Sequence, residues 1–382
     1  MLAAAAAHDL AVVARGAGTK LGWGAPPRRL DLVLDTRRLD RVVEHAAGDL
    51  VVVVQAGVRL ADLAAVLAAA GQRLAADPPV AGTVGGLVAT GLSGPGRLLH
   101  GGVRDLILGA TLVRADGVVS RSGGKVVKNV AGYDLAKLAC GSYGTLGLVT
   151  EAAFRLHPVP PASAYLTVRT DDPYGSVQAA LQGQFVPSAI ELDRSGPGPA
   201  TVAVLLEGTD AGVKARADRA LAALGRGAEL TGEPPWWNTL PAAVSGPAAV
   251  SGPAAAGDPA AGAEAVLLRV TCTPGGLGRL LDGIDRAARA AGLPVAVRGS
   301  AGLGSLYAAA PAEPPAVDSF VTALRSAAAA WAGTVVVLSA PAAVRAAVDG
   351  WGPVPGLDLM RRVKDSFDPG GLLSPGRFVG GI

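Results

Sequence analysis

The chain has 382 residues, enough for two domains, and half of them are apolar, so a sizeable core is available and wholesale disorder is excluded. Its 34 basic and 31 acidic residues give a net charge of +3 without a block of like charges, which leaves no footprint for nucleic acid. Two distant cysteines, Cys140 and Cys272, and four scattered histidines, His8, His45, His100 and His157, exclude an iron–sulfur or zinc scaffold made by this chain alone.

Met1 to Ala7 is a small-residue run without a positive start, a poor signal peptide. Two isolated cysteines fit a reducing cytosol. Leu10 to Ala14 predicts a short strand that stops at Arg15-Gly16-Ala17-Gly18-Thr19-Lys20. That loop offers successive backbone N–H groups with little side-chain bulk, which suits a pyrophosphate; a plain tight turn is the other reading. It is not a dinucleotide fingerprint, because no third glycine follows Gly18 at the required spacing and no helical periodicity follows. Leu50 to Val54 predicts a buried strand, and Leu60, Leu63 and Leu67 recur at helical spacing with Gly71 placed to end that helix.

Ala81 to Gly96 carries six glycines and no charge, and reads as a neutral loop against which a flat, diphosphate-bearing cofactor lies. A glycine-rich linker is the alternative, but Thr83, Val84, Leu87 and Val88 make it too apolar for a solvated one. Leu106 to Val113 and Val118 to Ser120 flank Asp116-Gly117, a hairpin signal. In the next stretch scarce residues concentrate. Lys125, Lys128 and Lys137 are three of only six lysines, Asn129 is one of two asparagines, and Tyr133 and Tyr143 are two of five tyrosines. Lys128 to Asp134 has no helical stripe, so this segment reads as part of a site. Leu146 to Leu156 alternates as a half-buried strand, ended by His157-Pro158-Val159-Pro160-Pro161.

Beyond that hinge, strand-like runs at 165–169, 202–206, 266–270, 295–298 and 335–338 alternate with helix-like ones near 211–224, 276–291 and 316–330. This predicts an α+β domain. Pro241 to Gly262 contains an exact hexapeptide repeat and is expected to be a mobile surface loop without chemistry. The uncharged stretch Ser326 to Val344 reads as a helix end followed by a buried strand, not a membrane span.

The glycine segments, in this order, resemble the FAD-binding domain of the vanillyl-alcohol-oxidase/PCMH flavoprotein superfamily over roughly residues 10–160. The segment Lys128-Asn129-Val130-Ala131-Gly132-Tyr133-Asp134-Leu135, the segment Gly141 to Gly147, and the ending Met360 to Arg377 are similar to its 2-hydroxyacid-oxidising branch. Within that branch the likeness is to the smaller FAD-binding subunits of glycolate oxidase complexes. The resemblance implies a two-subdomain PCMH-type FAD domain at 1–159, an α+β cap at 160–345, and a tail at 346–382 returning to the FAD domain. It implies noncovalent FAD, since 16–24 contains no histidine for attachment. Carried over residue by residue, the cofactor contacts are Arg15, Gly16, Ala17, Gly18, Thr19 and Lys20 in the first loop. In the second they are Pro79, Gly82, Thr83, Val84, Gly85, Gly86, Ala89, Thr90, Ser93 and Gly94. Lys128, Asn129, Tyr133, Gly144, Gly147 and Val149 complete the set.

The resemblance also implies a small 2-hydroxy acid substrate, a catalytic flavin subunit and an iron–sulfur subunit as partners, and a cytoplasmic place, peripheral to the membrane only through partners. Catalytic members carry a cap motif, His-x-x-Gly-Asp-Gly-Asn-x-His, whose histidines hold a metal and supply the base. No histidine follows His157 here, so neither a catalytic residue nor a metal is assigned. Arg298, Lys364 and Tyr307 could bind a carboxylate, although each reads first as structural. A standalone oxidase using Tyr133 or Tyr307 as base, or a relay subunit whose FAD never meets substrate, are the alternative readings.

Overall fold

The computed structural model describes residues 1–125, 133–243 and 265–382; Lys128, Asn129 and the hexapeptide repeat lie outside them. The chain divides into two compact units. The first comprises 1–93, 100–159 and 353–382, and the second 94–99 and 160–352.

In the first unit, nine strands are described. β1 (Val12–Arg15) pairs in parallel with β2 (Leu32–Asp35). A five-stranded antiparallel sheet runs β3 (Val42–Ala46), β4 (Val51–Gln55), β8 (Leu148–Arg155), β6 (Ile107–Val113), β7 (Val119–Gly123). β5 (Gln72–Arg73) pairs with β9 (His157–Pro158). The expected hairpin at Asp116-Gly117 is the β6–β7 turn, and the helix anticipated from Leu60 spans Leu60–Ala68. Val52 and Val54 of β4, Phe154 of β8, and Leu63 and Leu67 of that helix share one core. Burial of such side chains supplies about 1.5–3 kcal/mol each before ordering costs.

The segment 84–90 departs from the loop reading. Val84–Thr90 is a helix, with Thr83 as N-cap accepting from the Gly86 N–H and Gly91 at φ +62° closing it. Small residues on one side and buried Val84, Leu87 and Val88 on the other explain it: a neutral glycine-rich string helixes when its apolar stripe finds a core. A short helix, Leu2–Ala7, precedes β1, in a small-residue run that carries no helical periodicity.

The second unit is built on a single antiparallel sheet of eight described strands. Its order is β13 (Glu229–Thr231), β10 (Ala162–Thr170), β12 (Ala200–Gly208), β11 (Ala189–Arg194), β15 (Ala296–Ser300), β16 (Ser305–Pro311), β14 (Ala265–Thr271), β17 (Thr334–Ser339). Helices Pro173–Gln182, Asp210–Leu224, Leu277–Ala291 and Pro314–Ala328 cover one face. Strand positions 266, 268, 270, 297, 306, 308 and 310 point to that helical face, so 269, 298, 300, 305 and 307 point to the other. Trp237 packs on part of that second face, over Ala189, Ala203 and Leu205. Among the described residues no helix is long and apolar enough to cross a membrane.

Candidate cofactor site

β1 ends at Arg15, and the chain then turns through Gly16 to Lys20 beside the Val84–Thr90 helix. The first loop and this helix enclose a recess lined by Gly16, Ala17, Gly18, Thr19, Lys20, Thr83, Gly86, Ala89 and Thr90. Nine of the residues carried over from the resemblance are therefore brought together around one space. Two backbone features make room for it. Gly18 sits at φ +81°, a conformation only glycine adopts without strain. A Cβ on Gly16 would lie 2.2 Å from Thr83 Oγ1, so the Gly16 backbone packs directly on the Thr83 side chain.

Among the described residues, the N–H groups of Gly16, Ala17, Gly18 and Thr19 donate to no backbone or side-chain acceptor of the protein. Four successive unused donors at a turn form an anion-binding concavity. Lys20 adds a positive charge at its floor. The residue is 9% exposed, and its ammonium donates to Thr19 Oγ1 at 3.1 Å and to the Ala81 carbonyl at 3.2 Å. Thr19 Oγ1 donates to the same carbonyl at 2.7 Å, so loop one is tied to loop two. These donors fit a diphosphate, and the uncharged helix beside them suits a flat dinucleotide laid against it.

Four further residues line the recess without having been assigned there: Ala14, Leu21, Tyr143 and Arg377. Tyr143 arrives because its N–H donates to the Ala89 carbonyl at 2.8 Å, and its ring lies 5.9 Å from Phe378. Arg377 arrives from the end of the chain and donates to the carbonyls of Leu21 at 2.9 Å and Trp23 at 2.8 Å. The signal for both was present in the motifs 141–147 and 360–377, but sequence alone does not say which of those side chains turns inward.

The tail reaches the site by strand-like bonding. Val12 N–H donates to the Leu372 carbonyl and Ser374 N–H to the Val12 carbonyl, each at 2.8 Å. The tail is held in turn by helix Leu357–Phe367, whose Lys364 ammonium is buried and donates to Asp368, to the Thr145 carbonyl at 2.8 Å and to the Leu373 carbonyl at 3.0 Å. Burial pushes the Lys364 ammonium below its ordinary range, with Asp368 opposing that shift. All three of its donors are used, so Lys364 is structural and does not offer itself to a carboxylate.

Other residues of the resemblance stand outside the recess. Arg15 ion-pairs with Asp35 at 2.9 Å, Val84 and Val149 belong to the core, and Gly85 packs on Ala56. Gly82 touches Lys20, Ser93 accepts from the Val103 N–H at 3.1 Å, and Gly144 faces Ser374. Pro79 and Gly147 do not line the recess, and Gly94 falls in the second unit. Tyr133 is 89% exposed, and Lys128 and Asn129 are outside the described residues.

In the second unit, Arg298 is engaged by Asp193 at 2.7 Å, Thr239 Oγ1 at 2.6 Å and the Leu240 carbonyl at 3.2 Å, which makes it structural. The Tyr307 hydroxyl is pushed up by burial, so it is an O–H donor and not a base at neutral pH. Among the described residues no group of three or more His, Cys, Asp or Glu side chains is placed to hold a metal.

Residues 1–123, a third of the chain, match the family model of the FAD binding domain. The chain is 41% identical over 158 residues to glycolate oxidase subunit GlcE of Escherichia coli, covering 41% of this chain and 45% of that protein. It is 34% identical over 194 residues to glycolate oxidase subunit GlcD of Bacillus subtilis, covering 48% and 40%. It is 38% identical over 154 residues to the D-lactate dehydrogenase of Archaeoglobus fulgidus, covering 39% and 34%. The matched regions thus span less than half of each of these relatives. Among solved structures, alkyldihydroxyacetonephosphate synthase superposes with a TM-score of 0.71 at 16% identity, over 99% of this chain and 74% of that one, which shows a shared fold. The N-terminal third therefore carries a FAD-binding domain, and the flavoprotein resemblance read from the sequence holds.

Proposed function

We propose that this chain is a FAD-carrying subunit of a complex that oxidises small 2-hydroxy acids of the glycolate and D-lactate type. The observation that carries the reading is the run of four unused N–H donors at Gly16–Thr19, closed by buried Lys20. Bound there, FAD would supply the acceptor for a hydride from C2 of the hydroxy acid. The chain's own residues bind its diphosphate, exclude water with the Val84–Thr90 helix, and lock the loop through Arg377. Two cysteines 132 positions apart provide no cluster, so electrons leave to another protein, to quinone or to oxygen.

A specific observation supports a second reading, an electron-relay subunit whose flavin meets no substrate. No histidine follows His157, and burial holds Tyr307 protonated, so the usual base is missing. The deciding experiment purifies the chain, records its visible spectrum, and adds glycolate and D-lactate without oxygen. A yellow protein that bleaches carries a self-sufficient site. A yellow protein that bleaches only with partner subunits supports the complex. A protein that remains colourless after FAD is supplied during folding and assembly sinks the flavin reading.

A further inference from the structure

At the short β5–β9 pairing of the first unit, guanidinium and imidazole side chains gather on one side of the chain. Phe154 and Leu156 turn into the core, so the alternation of an extended chain sends Arg155 and His157 the opposite way. The register sets Arg73 directly across from His157, as cross-strand neighbours about 5 Å apart. The His100 ring lies 4.3 Å from the His157 ring, and the Arg73 guanidinium donates to His100 Nε2 at 3.3 Å. Two guanidiniums and two imidazoles therefore share one neighbourhood, and all four side chains are half-buried.

This neighbourhood is unbalanced. Among the described residues Arg155 makes no side-chain hydrogen bond or ion pair. Its Nε is buried without a partner, and so is His157 Nδ1. Burial, and then His100, Arg155 and Arg73, hold the His157 imidazole near 4, and no carboxylate is among the groups that act on it. Like charges at this spacing repel, and a buried donor without an acceptor forfeits water with no replacement. An anion seated among these groups removes both costs at once.

We propose that Arg73, Arg155 and His157 bind the phosphate group of a small ligand, at a site apart from the cofactor recess, which none of the three lines. The donor set selects phosphate over carboxylate. A carboxylate presents two oxygens in one plane, and a single guanidinium fork fills them. A phosphate presents oxygens in several planes and carries a charge of about −1.5 to −2, which matches two guanidiniums and an imidazole N–H approaching from different directions. The site stands whether or not the oxidation proposed above does, because no residue is common to the two.

The test follows the histidine ring resonances of the full-length chain at pH 6.5, with FAD added first so that the recess is filled. Only four histidines contribute, so each resonance is assignable by single substitution. Inorganic phosphate is expected to shift the His157 and His100 resonances saturably while leaving exposed His8 in place. Acetate at equal ionic strength is expected to leave all of them in place. Arg155→Met should weaken phosphate about tenfold or more, and Arg155→Lys should recover part of that loss. Arg73→Met should weaken it similarly and stands in should Arg155→Met fail to fold. Methyl phosphate binding more tightly than inorganic phosphate identifies an ester as the natural class, and the reverse order a free ion; both uphold the site. The proposal is overturned if phosphate produces no saturable shift at His157, if acetate gives the same isotherm, or if both methionine variants bind phosphate within about twofold of the parent.

Discussion

Gly16 shows how tightly the cofactor recess is drawn at the scale of a residue. An added methyl group would lie 2.2 Å from Thr83 Oγ1, well inside contact distance. Gly16→Ala is expected to cost about 1–3 kcal/mol of packing strain at this junction. Flavin affinity should fall by about tenfold, and Thr83→Ala in the same chain should return part of it; a fluorescence titration with FAD measures both. His157 gives a pH dependence of known sign. Burial, and then His100, Arg155 and Arg73, push its imidazole down to about 4 from 6.5. The folded imidazole is neutral while the unfolded one takes a proton below 6.5, so stability is present above that pH and is lost as pH falls toward 4. The urea midpoint should drop between pH 7 and pH 4.5, and His157→Gln should flatten the drop. The thiols are inert for a related reason. Burial raises Cys140 to about 12 and Cys272 to about 11. At pH 8 roughly one molecule in 10⁴ and one in 10³ carries the thiolate, so alkylation by iodoacetamide should be slow until the protein unfolds.

At the scale of the element, the chain's last thirty residues are a working part of the first unit. Asp368 is 1% exposed and accepts from Lys364, from the Leu372 N–H at 3.0 Å and from the Leu373 N–H at 2.7 Å. It therefore fixes the strand that bonds to Val12 and carries Arg377 to the recess. Asp368→Ala strands a buried ammonium and should destabilise the first unit by about 3–5 kcal/mol. The double change Lys364→Met, Asp368→Leu removes both charges and should be the milder lesion by chemical denaturation. If the single and double variants unfold at the same denaturant concentration, the pair is not what holds the tail.

At the scale of the molecule, each unit has its own core. Val52, Leu63, Leu87 and Phe154 centre the first, and Leu166, Leu192, Ile284 and Phe320 the second. Two calorimetric transitions are expected, with added FAD raising only the one that belongs to the first unit. Ligand at a hundredfold excess over its dissociation constant contributes about 2.7 kcal/mol to the state that binds it. A single transition that shifts as a whole with FAD would show that the units unfold together.

Much of this was legible in sequence because it is local. Alternating and continuous apolar runs marked β4, β8, β10, β12, β14 and β17, since strand burial depends on nearest neighbours. Asp116-Gly117 marked a turn that only a few dihedral angles satisfy. The order of glycine loops pointed to FAD, because backbone must come close to a diphosphate and only small residues permit it. What escaped were features set by distant contacts. The Val84–Thr90 helix owes its existence to a core that its own sequence does not announce. Strands Ala189–Arg194 and Ser305–Pro311, one acidic and one rich in alanine, form because paired strands lie on both sides. Arg377 and Tyr143 reach the recess, and Lys364 does not offer itself as a ligand, through hydrogen bonds spanning up to 356 positions. Sequence by itself determined the strands with strong apolar runs, the Asp116-Gly117 turn and the glycine-rich segments that approach the recess. Only the tertiary structure decided which polar side chains are spent on one another, as Lys364 and Asp368 are, because hydrogen-bond satisfaction is a property of the folded neighbourhood and not of the residue.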